Sequence, residues 1–157
     1  MAKSPDTTEY FNSFYSTGPG LGNASSYQVS GTPWVTGSTV TDSGEVMIDF
    51  PAVTKNIVVL HRGLAADTDT DLRVHFRSKS DASAPNNVIA RKHYISVDGP
   101  LGGQGAFGQL NIPCKCKRLY ISSAGSSGNT AKFEIQAELT GIAPGEMFEL
   151  TGSGITS

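Results

Sequence analysis

Three histidines, His61, His75 and His93, are the side chains of this chain that titrate near neutral pH, so general acid–base chemistry would have to run through one of them. None stands at metal-ligand spacing from a cluster of Cys, His or carboxylates, and no HExxH or nucleophile elbow occurs. The serines are too numerous for any one to stand out as a nucleophile. Each histidine therefore reads as a hydrogen-bonded strand residue, and the chain as a protein with no catalytic residues.

Asp67, Asp69 and Asp71 form the strongest ligand-like set, because alternating carboxylates in a loop can bring oxygen atoms to calcium. An EF-hand register fails, since Leu72 falls where glycine is needed and Ser78 where a bidentate glutamate belongs. The set reads as a solvated acidic loop, and no metal or cofactor is expected. Gly18, Gly20 and Gly22 lack the following lysine of a phosphate loop and the flanking strand and helix of a dinucleotide fingerprint. Cys114 and Cys116, one residue apart, put both thiols on one face of a strand, a poor geometry for a mutual disulfide, and read as buried free thiols. Arg73, His75 and Arg77 alternate with Leu72, Val74 and Phe76, which predicts an exposed basic stripe. That stripe would pair across strands with Glu134 and Glu138 or meet the acidic surface of a neighbour. Tyr27 and Trp34 offer an aromatic platform for a sugar, against which stands simple core packing.

The elements that position these residues are strands. In residues 131–139, AKFEIQAEL, Phe133, Ile135, Ala137 and Leu139 fall on one side at a period of two, and Lys132, Glu134, Gln136 and Glu138 on the other. Val46, Ile48 and Phe50 alternate with Glu45, Met47 and Asp49 until Pro51 ends the run, and Ile95 and Val97 alternate with Tyr94 and Ser96. Residues 56–60, NIVVL, are apolar on both faces, as in a central strand covered on each side, by the N-terminal arm or by another subunit. Leu110, Ile112, Cys114 and Cys116 share one parity and Leu119 and Ile121 the opposite one, which predicts a bulge over residues 113–117. A further short strand is expected from Met147 to Thr151. With 18 glycines, 8 prolines and only 17% charged residues among 157, turns dominate over helices.

About eight strands with such turns predict an all-β, single-domain antiparallel sandwich of jelly-roll or Greek-key type. Residues 1–44 read as an N-terminal arm with the first short strands, and residues 45–157 as the sandwich core with a C-terminal extension. The arm holds Tyr10, Phe11, Phe14 and Tyr15 at i, i+1, i+4 and i+5, so one helical turn would present the four rings together. They either fold back on their own domain or dock on a neighbouring subunit. A net charge of −2 without a basic run argues against a nucleic-acid binder. The N-terminus lacks a signal-peptide h-region and no run is long enough to span a bilayer, which points to synthesis in a cytoplasm.

Residues 20–38, with GLGN followed by SYQVSGTPWVTGS, together with EVMIDFPAVTKNIVV, DLRVHF, KHYISVD, CKCKRLYIS, FEIQAELTGI and LTGSGI, resemble a family of small virion structural proteins of tailed phages from aquatic bacteria. The small jelly-roll vertex proteins of icosahedral viruses are similar. The resemblance implies a capsid-decorating or cementing β protein on the virion surface, assembled as a homo-oligomer, a trimer or pentamer, upon a major capsid protein. It offers no catalytic residues. Within it, Tyr10, Phe11, Phe14, Tyr15, Arg73, His75 and Arg77 are the expected inter-subunit contacts, and a carbohydrate-binding or receptor-binding head built on Tyr27 and Trp34 is the alternative.

Overall fold

A computed structural model gives the fold and describes residues 31–41, 43–62, 71–80, 87–99, 108–125 and 130–150. Eight strands follow one another: β1 (Thr32–Thr41), β2 (Glu45–Asp49), β3 (Thr54–His61), β4 (Leu72–His75), β5 (Ile95–Val97), β6 (Gln109–Ile112), β7 (Arg118–Ser123) and β8 (Thr130–Leu139). They form two antiparallel four-stranded sheets, one in the order β1-β8-β3-β6 and the other β2-β7-β4-β5. Every connection except β4–β5 passes from one sheet to the other, and this alternation is the topology of a jelly roll. The described residues hold no α-helix, only a 3-10 turn at Pro144–Glu146.

β8 is the organising strand. It pairs with β1 along ten residues and with β3 on its other edge. Its alternation carries through to burial: Ala131, Phe133, Ile135, Ala137 and Leu139 are buried, whereas Lys132 and Gln136 are exposed. Phe133 and Ile135 join Ile57 and Val59 of β3, Leu72 and Val74 of β4, and Leu119 and Ile121 of β7 in one core between the sheets. Each such side chain contributes about 1.5–3 kcal/mol by leaving water. A second, smaller cluster of Val53, Ile142 and Met147 closes one end of the sandwich. It is held there by hydrogen bonds from Val53 N to Ile142 O (3.0 Å) and from Thr140 N to Val53 O (2.8 Å).

The structure departs from the sequence expectations in three places. Among the described residues the sandwich starts at Thr32, inside the span grouped with the arm, and β1 is a ten-residue partner of β8, longer than the short strands expected there. The parity change over residues 113–117 marks a crossing: β6 ends at Ile112 in one sheet and β7 starts at Arg118 in the other, so facing reverses because the chain changes sheet. Residues Met147 to Leu150 form no strand. The chain there turns through Pro144–Glu146 and packs Met147 and Leu150 against Val53.

Sheet-to-sheet crossings expose backbone that the ladders do not satisfy, and two of them show how this chain meets the demand. Between β1 and β2 the Gly44 N–H donates to Thr41 O (2.8 Å) with Ser43 at φ 54°, and a Cβ on Gly44 would stand 2.8 Å from Thr41 O, so only glycine fits. Between β6 and β7 the fully buried Thr54 does the work. Its backbone N–H donates to Cys116 O (3.0 Å), and its hydroxyl accepts from Cys116 N (3.0 Å) while lying 3.0 Å from Cys114 O and 3.1 Å from Cys116 O.

Thr54→Val keeps the shape of the side chain but leaves Cys116 N–H buried without an acceptor. It should lower unfolding free energy by about 1–3 kcal/mol in a urea titration at unchanged slope. A loss below about 0.5 kcal/mol would show that the crossing does not rely on this hydroxyl.

Candidate interaction surface

The outward face of the β2-β7-β4-β5 sheet carries the residues from which a basic stripe was expected, and the structure does not form one. β4 ends at His75, and the following segment is tied across the outward face: Ser78 Oγ donates to Glu45 Oε1 (2.6 Å), Lys79 N to Glu45 Oε2 (2.6 Å), and Lys79 Nζ to Gly44 O (3.0 Å). Under this strap His75 is fully buried, as is Ser122 beside it. His75 therefore presents nothing to a neighbour, which corrects its expected role as an inter-subunit contact. Arg73 is half-buried with its guanidinium 4.8 Å from the centre of the Tyr94 ring, a cation–π contact within the sheet. Arg77 is half-buried, and its carbonyl oxygen accepts from His75 Nδ1. The acidic partners proposed for the stripe lie on the other sheet, where Glu134 pairs with Arg62 at 3.1 Å.

His75 and Ser122 do make a serine–histidine hydrogen bond, which sequence spacing gave no reason to expect. A carbonyl oxygen only accepts, so the 2.6 Å contact to Arg77 O puts the ring proton on Nδ1. Nε2 is then the acceptor for Ser122 Oγ–H at 2.9 Å. Glu45 Oε2 lies 3.8 Å from that same Nε2, on the serine side of the ring and not where a triad carboxylate would orient Nδ1. With Ser122 Oγ sealed beneath the strap, no substrate carbonyl can approach it, so the dyad stores a neutral imidazole and does not generate a nucleophile. Its ring also stacks on Tyr120 at 5.9 Å with the planes 3° apart.

The remaining sequence candidates are spread through the fold. His61 is buried at the end of β3 with Nδ1 3.3 Å from Asp98 O, while its Nε2 has no hydrogen-bond partner. His93 lies in the turn before β5, its backbone N–H on Val88 O at 2.9 Å. Asp71 ties loops together by accepting from Gly99 N through Oδ1 (3.3 Å) and from Ala124 N through its carbonyl (2.8 Å). Asp67 and Asp69 lie outside the described residues, and among those described no group of three His, Cys, Asp or Glu side chains is placed to hold a metal ion. Cys114 and Cys116 are free thiols at the crossing, and donation of the Cys114 S–H toward Cys116 pushes the Cys114 pKa up. Trp34 takes core packing over the alternative of a sugar platform. It shares parity with Val40, faces inward from β1, and meets Phe50 edge-to-face with ring centres 5.2 Å apart. Tyr27, Tyr10, Phe11, Phe14 and Tyr15 lie outside the described residues.

What the sequence did flag, without naming it a site, is the outward face of the β1-β8-β3-β6 sheet. The pairing registers place Val35 beside Gln136 and Val58 in one row, and Gly37 beside Glu134 and Leu60 in the next. Val35 is 73% exposed and Val58 and Leu60 are half-buried, so the two-faced apolar character of NIVVL is spent only partly within the protomer. Gly37 carries no side chain between its neighbours, which leaves a depression of about 490 Å³ bounded by Val35, Leu60, Glu134 and Gln136. The signal that could have found it is the outward parity shared by Val35 and Gly37.

Burial pushes the His75 pKa below the usual histidine value, against the opposing pull of the Arg77 carbonyl and the Glu45 carboxylate. Burial lowers His61 likewise, opposed by the Asp98 carbonyl and by Asp71. A histidine depressed in the folded state gives full stability above its unfolded pKa of about 6.5, and that stability is lost as pH falls from there through the native value. The urea midpoint should therefore drop between about pH 7.5 and about pH 5. His75→Gln should start lower at the upper pH and fall less steeply. An unchanged slope in the variant would mean that His75 does not carry the dependence.

No protein-family model matches this chain, and no curated protein shows significant similarity to it.

Proposed function

We propose that this chain is a non-enzymatic virion structural protein, one that decorates or cements an icosahedral capsid through contacts among its own copies and with a major capsid protein. The observation that carries the reading is the outward face of the β1-β8-β3-β6 sheet, where a notch at Gly37 opens between Val35, 73% exposed on β1, and the half-buried Val58 and Leu60 on β3, with Glu134 and Gln136 of β8 between them. Further large apolar side chains stand out elsewhere, Phe148 at 67% exposure and Met47 at 51%. Methionine and aromatic residues are enriched where proteins meet.

Two supports are weaker and are analogies. The jelly roll is used by viral capsid proteins, and also by lectins and cupins, so it narrows the field without choosing. The resemblance of residues 20–38, 45–59 and 133–142 to small phage virion proteins points to the capsid member of that set. The chemistry is compatible with both, because the buried Ser122–His75 pair is closed to substrates and Trp34 is committed to the core. In this reading the N-terminal arm and the C-terminal extension bridge subunits, giving a homo-oligomer such as a trimer or pentamer on the virion surface.

Mass spectrometry of purified virions should find the protein at a fixed copy number relative to the main shell protein, and its absence from virions would reject the assignment. Deleting residues 1–17 should lower the oligomer's mass in light scattering while the far-ultraviolet spectrum stays β-rich. Undiminished assembly would remove the arm from the interface.

A further inference from the structure

We infer that the depression at Gly37 is the seat for the aromatic segment Tyr10–Tyr15 of a second copy of this chain. The inference rests on the oligomeric reading above and specifies its contact. Val35 is 73% exposed and Leu60 half-buried, so among the described residues both keep apolar surface that a partner could cover. Thirty residues precede Gly31, the first described residue, and β1, into which they lead, itself lines the depression. Fifteen residues separate Tyr15 from Gly31. Extended, they reach roughly 50–60 Å, more than the roughly 40 Å breadth of a domain this size, so the segment can leave its own sandwich and seat on the next.

The chemistry of the two surfaces fits. Val35 and Gly37 on β1 and Leu60 on β3 give apolar surface on the two flanking strands, and Glu134 and Gln136 on β8 between them give acceptors. Tyr10 and Tyr15 bring an apolar ring with a hydroxyl at its tip, and Phe11 and Phe14 bring apolar rings alone. Four aromatic side chains bury roughly 150–250 Å² each, together roughly 600–1,000 Å², which matches the roughly 800 Å² that each partner of a standard interface contributes. Glycine at 37 is what keeps the seat open. A Cβ there would lie 3.2 Å from Phe133 O and 3.4 Å from Glu134 Cγ, a crowded approach, and any larger side chain would project into the depression. Because the donor segment and the acceptor face are different surfaces of the same chain, the contact runs head to tail and closes into a ring when the rotation between subunits permits.

The test places a photo-crosslinking amino acid at position 35 of the full-length chain and, separately, at the exposed position 136. Heavy-isotope and light-isotope copies are then mixed, irradiated and mapped by mass spectrometry. The expected result is cross-links from both positions to residues 10–15, with heavy–light pairs present. Cross-links confined to heavy–heavy and light–light pairs after full subunit exchange, cross-links to any other segment, or none at all would overturn the inference. Val35→Asp, at a solvent-exposed position that the fold tolerates, should weaken self-association at least about tenfold, and unchanged association would count equally against it. If deleting residues 1–17 dissolves the oligomer but the cross-links map elsewhere, the seat is wrong and the oligomeric reading survives. If the deletion changes nothing, the arm's role in assembly fails with it.

Discussion

Everything in this protein depends on keeping the space between two four-stranded sheets dry while the chain crosses repeatedly from one to the other. The dry interior is secured by strands whose side chains alternate, β8 above all, with Phe133 and Ile135 fully enclosed against Ile57, Leu119 and Ile121. The crossings are the harder problem, because backbone leaving one ladder has not yet joined the next, and an unpaired buried N–H costs as much as a lost hydrogen bond. This chain meets the demand with small side chains: a glycine that only a turn of that curvature accepts at position 44, and a threonine hydroxyl at position 54 that serves the backbone of Cys116.

The two outward faces, by contrast, are finished in different ways. On one sheet the segment after β4 folds over, and Glu45 holds it down through Ser78 and Lys79, enclosing His75 and Ser122. Over His75 and Ser122 that face is covered by the chain itself. The other sheet has no such cover over Val35 and Leu60 among the described residues, and the missing side chain at Gly37 deepens the gap. The buried neutral histidine on one side makes the fold sensitive to acid, and under the proposed function the notch on the other makes assembly sensitive to concentration.

Much of this was legible before any coordinates. Period-two alternation in residues 45–50 and 131–139 identified inward and outward sides correctly, and the double-sided apolarity of residues 56–60 marked a strand that the structure places centrally, between β8 and β6. The parity flip after Cys116 was visible too, but parity reports a change of facing and cannot distinguish a bulge from a change of sheet. His75 went astray for a different reason. Its alternation with Val74 was right, yet outward does not mean exposed when a later turn brings Ser78 and Lys79 across it, and no local pattern encodes that return. Trp34 follows the core-packing reading, and a local signal supports it, since it shares parity with Val40 and so faces inward.

The central claim is that one sheet face is completed only by another copy of the chain. Sedimentation velocity on the full-length protein across about a hundredfold range of concentration tests it most directly. The account predicts a species several times the 16.5 kDa protomer that dissociates on dilution. A single 16.5 kDa species at every concentration would contradict it.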